Sequence, residues 1–235
     1  MNHKKGIYEK YIKRLFDFIL SLIAIIIFSP VLFLLALVGV IQMKGNPFFV
    51  QKRIGLNGKE FYLIKYRSMT CERDKSGKLL SDDKRLTSYG KVLRKTSLDE
   101  LGELFNILLG DMSIVGPRPL LPEYIDYYTE EEFHRHDVRP GLTGLAQVNG
   151  RSFIPWEEIF EYDLEYVKNI SFINDIKIIF ATIGKVLGRK DIPDLTESTI
   201  DKNGRLHFKV NGKDYILHQP LHIERGYSNA ERNRK

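Results

Sequence analysis

Two adjacent carboxylic acids, Asp99 and Glu100, follow closely on two cations, Arg94 and Lys95. An ionised carboxylate can attack phosphorus, as it does in enzymes that form aspartyl phosphates. Adjacent acids can also hold Mg²⁺ together with the phosphates of a substrate. Neighbouring cations and the start of a helix both favour the ionised form of an acid. The pattern therefore predicts phosphoryl-transfer chemistry, with Asp99 ionised at neutral pH.

A purely structural interpretation of the same acids is also open. Apolar side chains recur at helical spacing and predict a helix from about Leu98 to Leu109 that ends at Gly110. Ser97 would be the N-cap of this helix, and Glu100 would complete a capping box. In that case the two acids serve only the helix terminus.

Two further segments hold arginines in rigid or glycine-rich surroundings. Arg118 lies between two prolines in GPRP (116–119), and VRPGLTGLAQVNGRS (138–152) carries three glycines between Arg139 and Arg151. Glycine lets a backbone approach a ligand closely, and arginine binds phosphate with a planar fork. An ordinary turn and a long surface loop are the alternatives. Arginines held in both segments favour an anion site.

The element that must position these residues relative to a membrane is an apolar segment near the N-terminus. Residues 18–43 form a run of 26 without a charged side chain, long enough to cross a hydrocarbon core as a helix. Pro30 lies at its centre and removes a backbone donor, and Ser29 can offer its hydroxyl to the freed backbone group. Residues 1–17 carry a net charge of +3 and residues 44–95 carry +9. Positive residues prefer the cytoplasmic side, and a span would export one of the two basic clusters, which argues for a re-entrant helix-break-helix. A kinked span is the alternative, and both stay open at this point.

The basic excess also limits the classes of partner. The whole chain carries +6, and the positive charge lies on both sides of the apolar segment. There it would meet anionic lipid headgroups or anionic substrates. No basic-aromatic motif or recognition-helix pattern accompanies it, which argues against nucleic acid.

A short run rich in histidine, HRHD (134–137), invites a metal-site interpretation. Its histidines are two residues apart, a spacing that suits neither helical ligand pairs nor zinc sites. We therefore expect a local structural role for these side chains.

Several long, ordered motifs along residues 12–188 carry a family resemblance. They are the Ser29-Pro30 pair, FYLIKYRSMT (61–70), LRKTSLDEL (93–101), GDMSIVGPRPLLPEY (110–124), HDVRPGLTGLAQVNGR (136–151) and EYDLEYVKNISF (161–172). In these segments the chain resembles the monotopic polyprenyl-phosphate phosphoglycosyl transferases of the bacterial sugar transferase family, and most of all the small, PglC-like type.

The resemblance implies an activity and a site. Members of this family move a sugar 1-phosphate from a UDP-sugar to undecaprenyl phosphate with Mg²⁺, releasing UMP, through a covalent phospho-sugar intermediate. By motif, Asp99 would be the nucleophile. Glu100 would be the base for the incoming polyprenyl phosphate or a helper in metal binding, and both acids are candidate metal ligands. The residues expected to bind substrate are Lys65, Arg94, Arg118, Arg151, Asp163 and Asp175.

The resemblance also implies a location and a pathway class. In this family the Ser-Pro pair, here Ser29 and Pro30, breaks a membrane helix so that both ends emerge on the cytoplasmic face. We therefore expect contact with membrane lipids at the bacterial inner membrane, and the first membrane step of glycoprotein, capsule, O-antigen or exopolysaccharide assembly. An N-acetylated amino or diamino sugar is the preferred expectation, and a hexose is the second.

The expected fold class is α+β and mainly helical, in three parts. Residues 1–43 would hold the re-entrant helix, residues 44–190 the catalytic domain, and residues 191–235 a C-terminal extension. Within the catalytic domain, residues 157–168 and 172–187 read as helices. The apolar stripe of the second helix, which includes Ile173, Ile176, Ile179, Phe180, Ile183 and Leu187, could face the core or a membrane surface.

The C-terminal extension contains RLHFKVNGKDYILH (205–218), which predicts a β-hairpin with a type I′ turn at Asn211-Gly212 and Lys209 opposite Asp214. An isolated hairpin is marginally stable, so we expect it to dock on the main domain or on the second subunit of a homodimer. A membrane-tethered basic binding module without turnover is the alternative to the transferase as a whole.

Overall fold

The computed structural model describes residues 5–149, 156–188, 195–200, 206–210 and 213–216. Most of these residues are helical, and the strands form three small sheets. This agrees with the expected α+β, mainly helical class. The α-helices are α1 (Lys13–Met43), α2 (Asp82–Arg85), α3 (Ser88–Thr96), α4 (Glu103–Leu109), α5 (Glu130–Phe133), α6 (Leu145–Asn149), α7 (Trp156–Lys168) and α8 (Phe172–Gly188). The strands are β1 (Phe48–Ile54), β2 (Glu60–Tyr66), β3 (Ser113–Val115), β4 (Gly141–Thr143), β5 (Leu195–Ile200), β6 (Leu206–Val210) and β7 (Lys213–Ile216).

Helix α1 runs through the apolar segment as one continuous helix, with Pro30 inside it. Together with a preceding π-helical turn, Tyr8–Ile12, it is the one described helix that is long and apolar enough to cross a membrane by length and composition. The hydroxyl of Ser29 donates to the carbonyl of Ile26 at 2.8 Å. That carbonyl lacks its helical donor because Pro30 has no N–H, so the role predicted for Ser29 is confirmed. The re-entrant course stays a prediction.

The first half of α1 is fastened to the rest of the protein by buried polar contacts. Arg14 donates to the carbonyl of Ile107 at 2.6 Å and to that of Leu108 at 2.8 Å, at the C-terminal end of α4. Asp17, which is buried, accepts a hydrogen bond of 3.0 Å from the backbone N–H of Ile114. These contacts place the charged groups of Arg14 and Asp17 on backbone groups of α4 and β3, and Arg14 lies on the carbonyls of the last turn of α4.

The second half of α1 packs on the same domain. Tyr66 donates its hydroxyl to the carbonyl of Leu32 at 2.9 Å, and Tyr89 donates to that of Leu35 at 2.8 Å. Gly39 lies so close to the chain beyond the helix that a Cβ there would be 2.8 Å from the Cβ of Pro47. One face of α1 is therefore covered by the domain at both of its ends, and the opposite face is apolar and exposed.

Strands β1 and β2 form an antiparallel hairpin in the register Phe48 opposite Tyr66 to Ile54 opposite Glu60. The turn between them needs left-handed backbone at Asn57 and Gly58. One face of the hairpin packs on α4 in a core cluster made of Phe61, Leu63, Leu104, Ile107 and Met112. This packing fixes the end of β2 against the segment that carries the two adjacent acids.

Strands β3 and β4 pair in parallel, and two glycines make their close approach feasible. A Cβ on Gly141 would be 2.1 Å from the N of Gly116, and one on Gly144 would be 2.3 Å from its O. Arg139, which begins the glycine-rich segment, donates to the carbonyl of Gly110 at 2.8 Å. Gly141 and Gly144 thus let backbone approach backbone rather than a ligand, which corrects the interpretation drawn from the sequence. Gly150 lies outside the described residues.

The prediction of a helix at 98–109 is confirmed for its C-terminal end and wrong for its N-terminal end. Gly110 ends α4 with a φ of 98°. Residues 98–102 form a 3₁₀ turn, and the α-helix begins only at Glu103. Ser97 has a φ of 54° and makes no side-chain cap, because it already ends α3 in the left-handed conformation. The predicted capping box is therefore absent.

Helices α7 and α8 confirm the two predicted C-terminal helices of the catalytic domain. On α8, Asp175 and Ile178 are buried. Ile173, Phe180 and Ile183 are 67%, 68% and 47% exposed. The core-facing alternative is therefore wrong for these three residues.

Strands β5, β6 and β7 form an antiparallel sheet in that order. Lys209 of β6 lies opposite Asp214 of β7, and β5 adds a strand that the sequence analysis did not predict. The predicted turn at Asn211-Gly212 lies outside the described residues, and the expected docking of this segment stays a prediction.

Candidate active site

The 3₁₀ turn that carries Asp99 and Glu100 crosses directly over the end of strand β2. Gly102 makes this possible, since a Cβ there would be 2.7 Å from the carbonyl oxygen of Ile64 and 3.2 Å from the Cα of Lys65. A larger residue would push the turn off the strand. The local sequence therefore places both acids beside Lys65.

Two cations converge on one of these acids, Glu100. Lys65 Nζ lies 2.9 Å from Glu100 Oε1, and Arg118 Nη2 lies 2.8 Å from the same oxygen. Lys65 also lies 2.9 Å from Oε1 of Glu103, the first residue of α4. The structure thus brings together three of the predicted site residues and adds Glu103. Glu103 was not among the predicted site residues, because residues 98–109 were predicted to form one helix with the acids only at its cap.

Asp99 is the carboxylate of this cluster that is open to a ligand. Among the described residues, no side chain makes a hydrogen bond or ion pair with it. Burial and the neighbouring Glu100 raise the pKa of Asp99, while Lys65 and Arg94 lower it. The raising effects win, so the pKa of Asp99 lies above its ordinary value, which corrects the expectation that neighbouring cations and a helix start dominate its ionisation. The carboxylate is desolvated, which strengthens a nucleophile once it is ionised.

Glu100 has the opposite electrostatic character. Burial alone would raise the pKa of its carboxyl group, but Arg118 and Lys65 lower it to about 2. Glu100 is therefore ionised at any pH at which the protein would work, and it is a weak base.

Arg94 reaches the site from α3. Its Nε donates to Ser68 Oγ at 3.0 Å, and its charge acts on Asp99. The helix can approach this turn because Gly90 has no side chain, since a Cβ there would be 1.9 Å from the carbonyl oxygen of Ser68. Arg94 thus belongs to the outer ring of the cluster.

Asp163 lies in a buried ion pair and not in the cluster. Arg135 donates to its Oδ2 from Nε at 3.0 Å and from Nη2 at 2.6 Å. The same guanidinium donates to the backbone carbonyl of Arg118 at 2.8 Å. Asp163 therefore acts on the site through Arg135 and the loop of Arg118, which revises the expectation that it binds substrate.

Asp175 likewise serves the architecture. It accepts hydrogen bonds from Lys13 at 2.5 Å, from Tyr8 at 2.8 Å and from Tyr166 at 2.8 Å. These bonds fasten the beginning of the apolar helix to α7 and α8, so the expectation of substrate binding is revised here as well. Arg151, the remaining predicted site residue, lies outside the described residues.

The HRHD run packs locally. His134 Nδ1 lies 2.8 Å from Asp137 Oδ2, and His136 is buried against Tyr128 and Phe133. Burial and Arg135 lower the pKa of His136 to about 3.

The donor set around Asp99 and Glu100 fits a magnesium ion. Glu100 uses the same oxygen, Oε1, for both of its cations, which leaves Oε2 for a metal. Mg²⁺ is usually bound through one or two carboxylates together with substrate phosphates. Within the described part of the chain, no cluster of three or more His, Cys, Asp or Glu residues could hold a metal without such phosphates.

Comparisons with known proteins point in one direction. A family model described as bacterial sugar transferase matches residues 8–189. An uncharacterized sugar transferase, EpsL of Bacillus subtilis, is 47% identical over 193 residues, which cover 81% of this chain and 95% of EpsL.

Two relatives have names that state an activity. The UDP-glucose:undecaprenyl-phosphate glucose-1-phosphate transferase of Xanthomonas campestris pv. campestris is 41% identical over 76% of this chain and 39% of its own length. The undecaprenyl-phosphate galactose phosphotransferase of Salmonella typhimurium is 38% identical over 78% of this chain and 42% of its own length. The chain thus spans about two fifths of these two proteins and nearly all of EpsL.

Proposed function

Because this chain belongs to the bacterial sugar transferase family, we propose that it transfers a sugar 1-phosphate from a UDP-sugar to undecaprenyl phosphate and releases UMP. The observation that carries the proposal is the open carboxylate of Asp99 beside Glu100, which Lys65 and Arg118 hold ionised. An anionic diphosphate would find a nucleophile and several cations at one place.

The reaction has two displacements at the same phosphorus. In the first, an oxygen of Asp99 attacks the β-phosphorus of the UDP-sugar, and the bond from that phosphorus to the bridging oxygen breaks. UMP leaves with the electron pair, and an aspartyl phospho-sugar remains. In the second, an oxygen of undecaprenyl phosphate attacks the phosphorus and the aspartyl bond breaks, which restores the carboxylate. Lys65, Arg94 and Arg118 stabilise the charge that develops on the transferring group.

Glu100 contributes as a fixed anion in this scheme. A carboxylate with a pKa of about 2 is a poor proton acceptor, so we assign it to metal binding and to the placement of Lys65 and Arg118. Mg²⁺, when bound between Asp99, Glu100 and the diphosphate, would neutralise phosphate charge and favour departure of UMP.

The way in which α1 is packed supports a one-sided membrane location. Both halves of this helix bond to the same domain, Arg14 and Asp17 at one end and Leu32 and Leu35 at the other. A straight span through the bilayer would draw that domain into the hydrocarbon, where its polar surface would be costly. A helix that dips in and returns keeps the domain in water.

The exposed apolar side chains fit the same location. Ile26, Ile27 and Phe33 on α1 are 63%, 65% and 70% exposed, and α8 adds Ile173 and Phe180. With basic segments on both flanks of α1, we place the protein on the cytoplasmic face of a bacterial inner membrane. There a soluble nucleotide sugar and a lipid phosphate can meet at Asp99.

The test uses the purified full chain in lipid nanodiscs with Mg²⁺. We expect UMP release from one or more members of a panel of UDP-hexoses and UDP-N-acetylamino sugars when undecaprenyl phosphate is present. Asp99→Asn should abolish it, and without the lipid acceptor the mass of the intact wild-type protein should rise by one phospho-sugar. Robust release by Asp99→Asn would refute the nucleophile, and no release from any sugar would favour the binding-module alternative.

A further inference from the structure

Lys65 is shared between two carboxylates of very different accessibility. Its Nζ lies 2.9 Å from Glu100 Oε1 and 2.9 Å from Glu103 Oε1. The side chain of Glu100 is 22% exposed and that of Lys65 is 16% exposed, whereas that of Glu103 is 3% exposed. A ligand that enters the site can therefore reach Lys65 from the side of Glu100 and not from the side of Glu103.

We propose that Glu103 is a positioning residue that holds Lys65 in place while substrate phosphate takes over the contact that Lys65 makes with Glu100. This inference rests on the proposed function and names a role in its first displacement. The diphosphate of the UDP-sugar displaces Glu100 from the ammonium group, and the bond to Glu103 persists. Lys65 then points at the transferring phosphoryl group without a search through its rotamers.

The position of Glu103 makes it the fixed partner. It is the first residue of α4, and α4 is locked by the core side chains Leu104 and Ile107 on one side and by Arg14 at its end. Glu100, by contrast, lies in the 3₁₀ turn and has a second cation, Arg118, that can keep it once the diphosphate has taken its contact with Lys65. The arrangement gives Lys65 one permanent partner and one exchangeable partner.

The physical need for such a partner follows from the chemistry of lysine. Its ammonium group stands on a flexible stem, and ordering that stem costs rotamer entropy. A buried acceptor removes this cost before substrate arrives, which is the general benefit of a preorganised site. Glutamine could supply the same acceptor oxygen without a charge. Methionine is of similar length and could not.

The charges around Glu103 come from every element packed on it. They are Lys65 of β2, Glu100 of the 3₁₀ turn, Arg118 of the GPRP loop and Arg53 of β1. Lys65 is the one of these within bonding distance. The coupling to test is therefore the one between Glu103 and Lys65.

The experiment is a double-mutant cycle on the first displacement, read as single-turnover UMP release by the full chain in nanodiscs. The variants are Glu103→Met, Glu103→Gln, Lys65→Met and the double variant Glu103→Met/Lys65→Met. We expect Glu103→Met to slow release by about tenfold or more, the scale of one lost charge-assisted hydrogen bond. Glu103→Gln should stay within about threefold of wild type, and the double variant should match Lys65→Met within about twofold.

The control is the ion pair of Lys52 and Glu60 on the same hairpin. Its charged atoms are 2.8 Å apart, as close as those of Lys65 and Glu103, but both of its side chains are about half exposed. Glu60→Met should leave the rate unchanged. Losses that multiply in the double variant, a wild-type rate for Glu103→Met, or a Gln variant as slow as the Met variant would each overturn the proposal. If Glu103→Met does not fold, the double variant decides, because it removes both buried charges together and must still match Lys65→Met. A wild-type protein that releases no UMP would instead refute the proposed function.

Discussion

Arg135 donates a hydrogen bond of 2.8 Å to the backbone carbonyl of Arg118 while its guanidinium is paired with a buried carboxylate. The side chain of Arg118 is one of the two cations on Glu100. A fully buried ion pair between Arg135 and Asp163 thus fixes the loop that presents a cation to the candidate site.

The first prediction follows from that relationship. Asp163→Asn leaves Arg135 buried without its counter-charge, and breaking a buried pair in this way costs roughly 3–5 kcal/mol. We expect a lower midpoint of thermal unfolding and a higher KM for the UDP-sugar. The KM rises because the backbone of Arg118 loses its fixed hydrogen bond from Arg135. Glu131→Gln, which touches the exposed pair with Lys168 at 3.8 Å, is the control and should change neither. A stable Asp163→Asn protein with a normal KM would contradict this role.

The second prediction concerns the acid limb of activity. The proposed transfer needs ionised Asp99, whose pKa is raised by burial and by Glu100, while Glu100 stays ionised down to a pH of about 2. The rate of the first UMP release should therefore fall with decreasing pH at values above the ordinary pKa of an aspartic acid. Because Lys65 lowers the pKa of Asp99, Lys65→Met should move the limb to higher pH.

A matched variant distinguishes the titration of Asp99 from a general loss of activity in acid. Lys52→Met removes an exposed lysine from the neighbouring strand β1 and should leave the limb in place. An acid limb that Lys65→Met moves downward or leaves unmoved would show that a group other than Asp99 sets it.

The third prediction concerns stability in mild acid. His136 is buried with Nε2 unpartnered among the described residues, and burial and Arg135 lower its pKa to about 3. The unfolded chain binds a proton near pH 6.5 and the folded chain does not, so this residue contributes stability that is lost as pH falls from about 6.5 toward 3. His136→Phe, an aromatic replacement, should flatten that part of the pH dependence of unfolding.

His134→Gln provides the comparison, because His134 is only partly buried and lies beside Asp137. It should retain the wild-type slope between pH 6.5 and 3. A His136→Phe protein that loses stability as steeply as wild type over this range would assign the loss to other groups.

Much of the candidate cluster could be named from the sequence because its residues lie in short, contiguous motifs. Asp99 and Glu100 are adjacent, and Arg118 lies in a segment whose residue types already indicated anion binding, whereas Lys65 was expected only from the family resemblance. What the sequence could not separate was a polar residue that meets substrate from one that meets a buried partner. Asp163 and Asp175 have the same residue type as Asp99 and are distinguished from it only by the cations brought to them in three dimensions.

Local backbone was the second obstacle. Helical spacing correctly predicted Gly110 as an end, but Ser97 belongs to two elements at once, and its left-handed φ of 54° prevents it from capping the second. As a result, residues 98–102 form a 3₁₀ turn instead of the first turn of the predicted helix. Glu103 is then the first residue of α4. Gly141 and Gly144 are a second example of this obstacle. Their spacing was interpreted as ligand binding, but in the structure they allow the backbone to pack closely against Gly116.

The last prediction tests the course of α1 with cysteine labelling, and the chain provides a built-in reference. Cys71, its one cysteine, is exposed on the catalytic side, and Lys5 lies ahead of α1 on the exposed N-terminal end. Because both ends of α1 bond to the same domain, we expect Cys71 and a Lys5→Cys residue to react with a membrane-impermeant maleimide from the same side. In inverted inner-membrane vesicles both should label without detergent, and in intact spheroplasts neither should. A Lys5→Cys/Cys71→Ser protein isolates the first position, and its labelling in spheroplasts but not in inverted vesicles would establish a span and remove the basis for a shallow anchor.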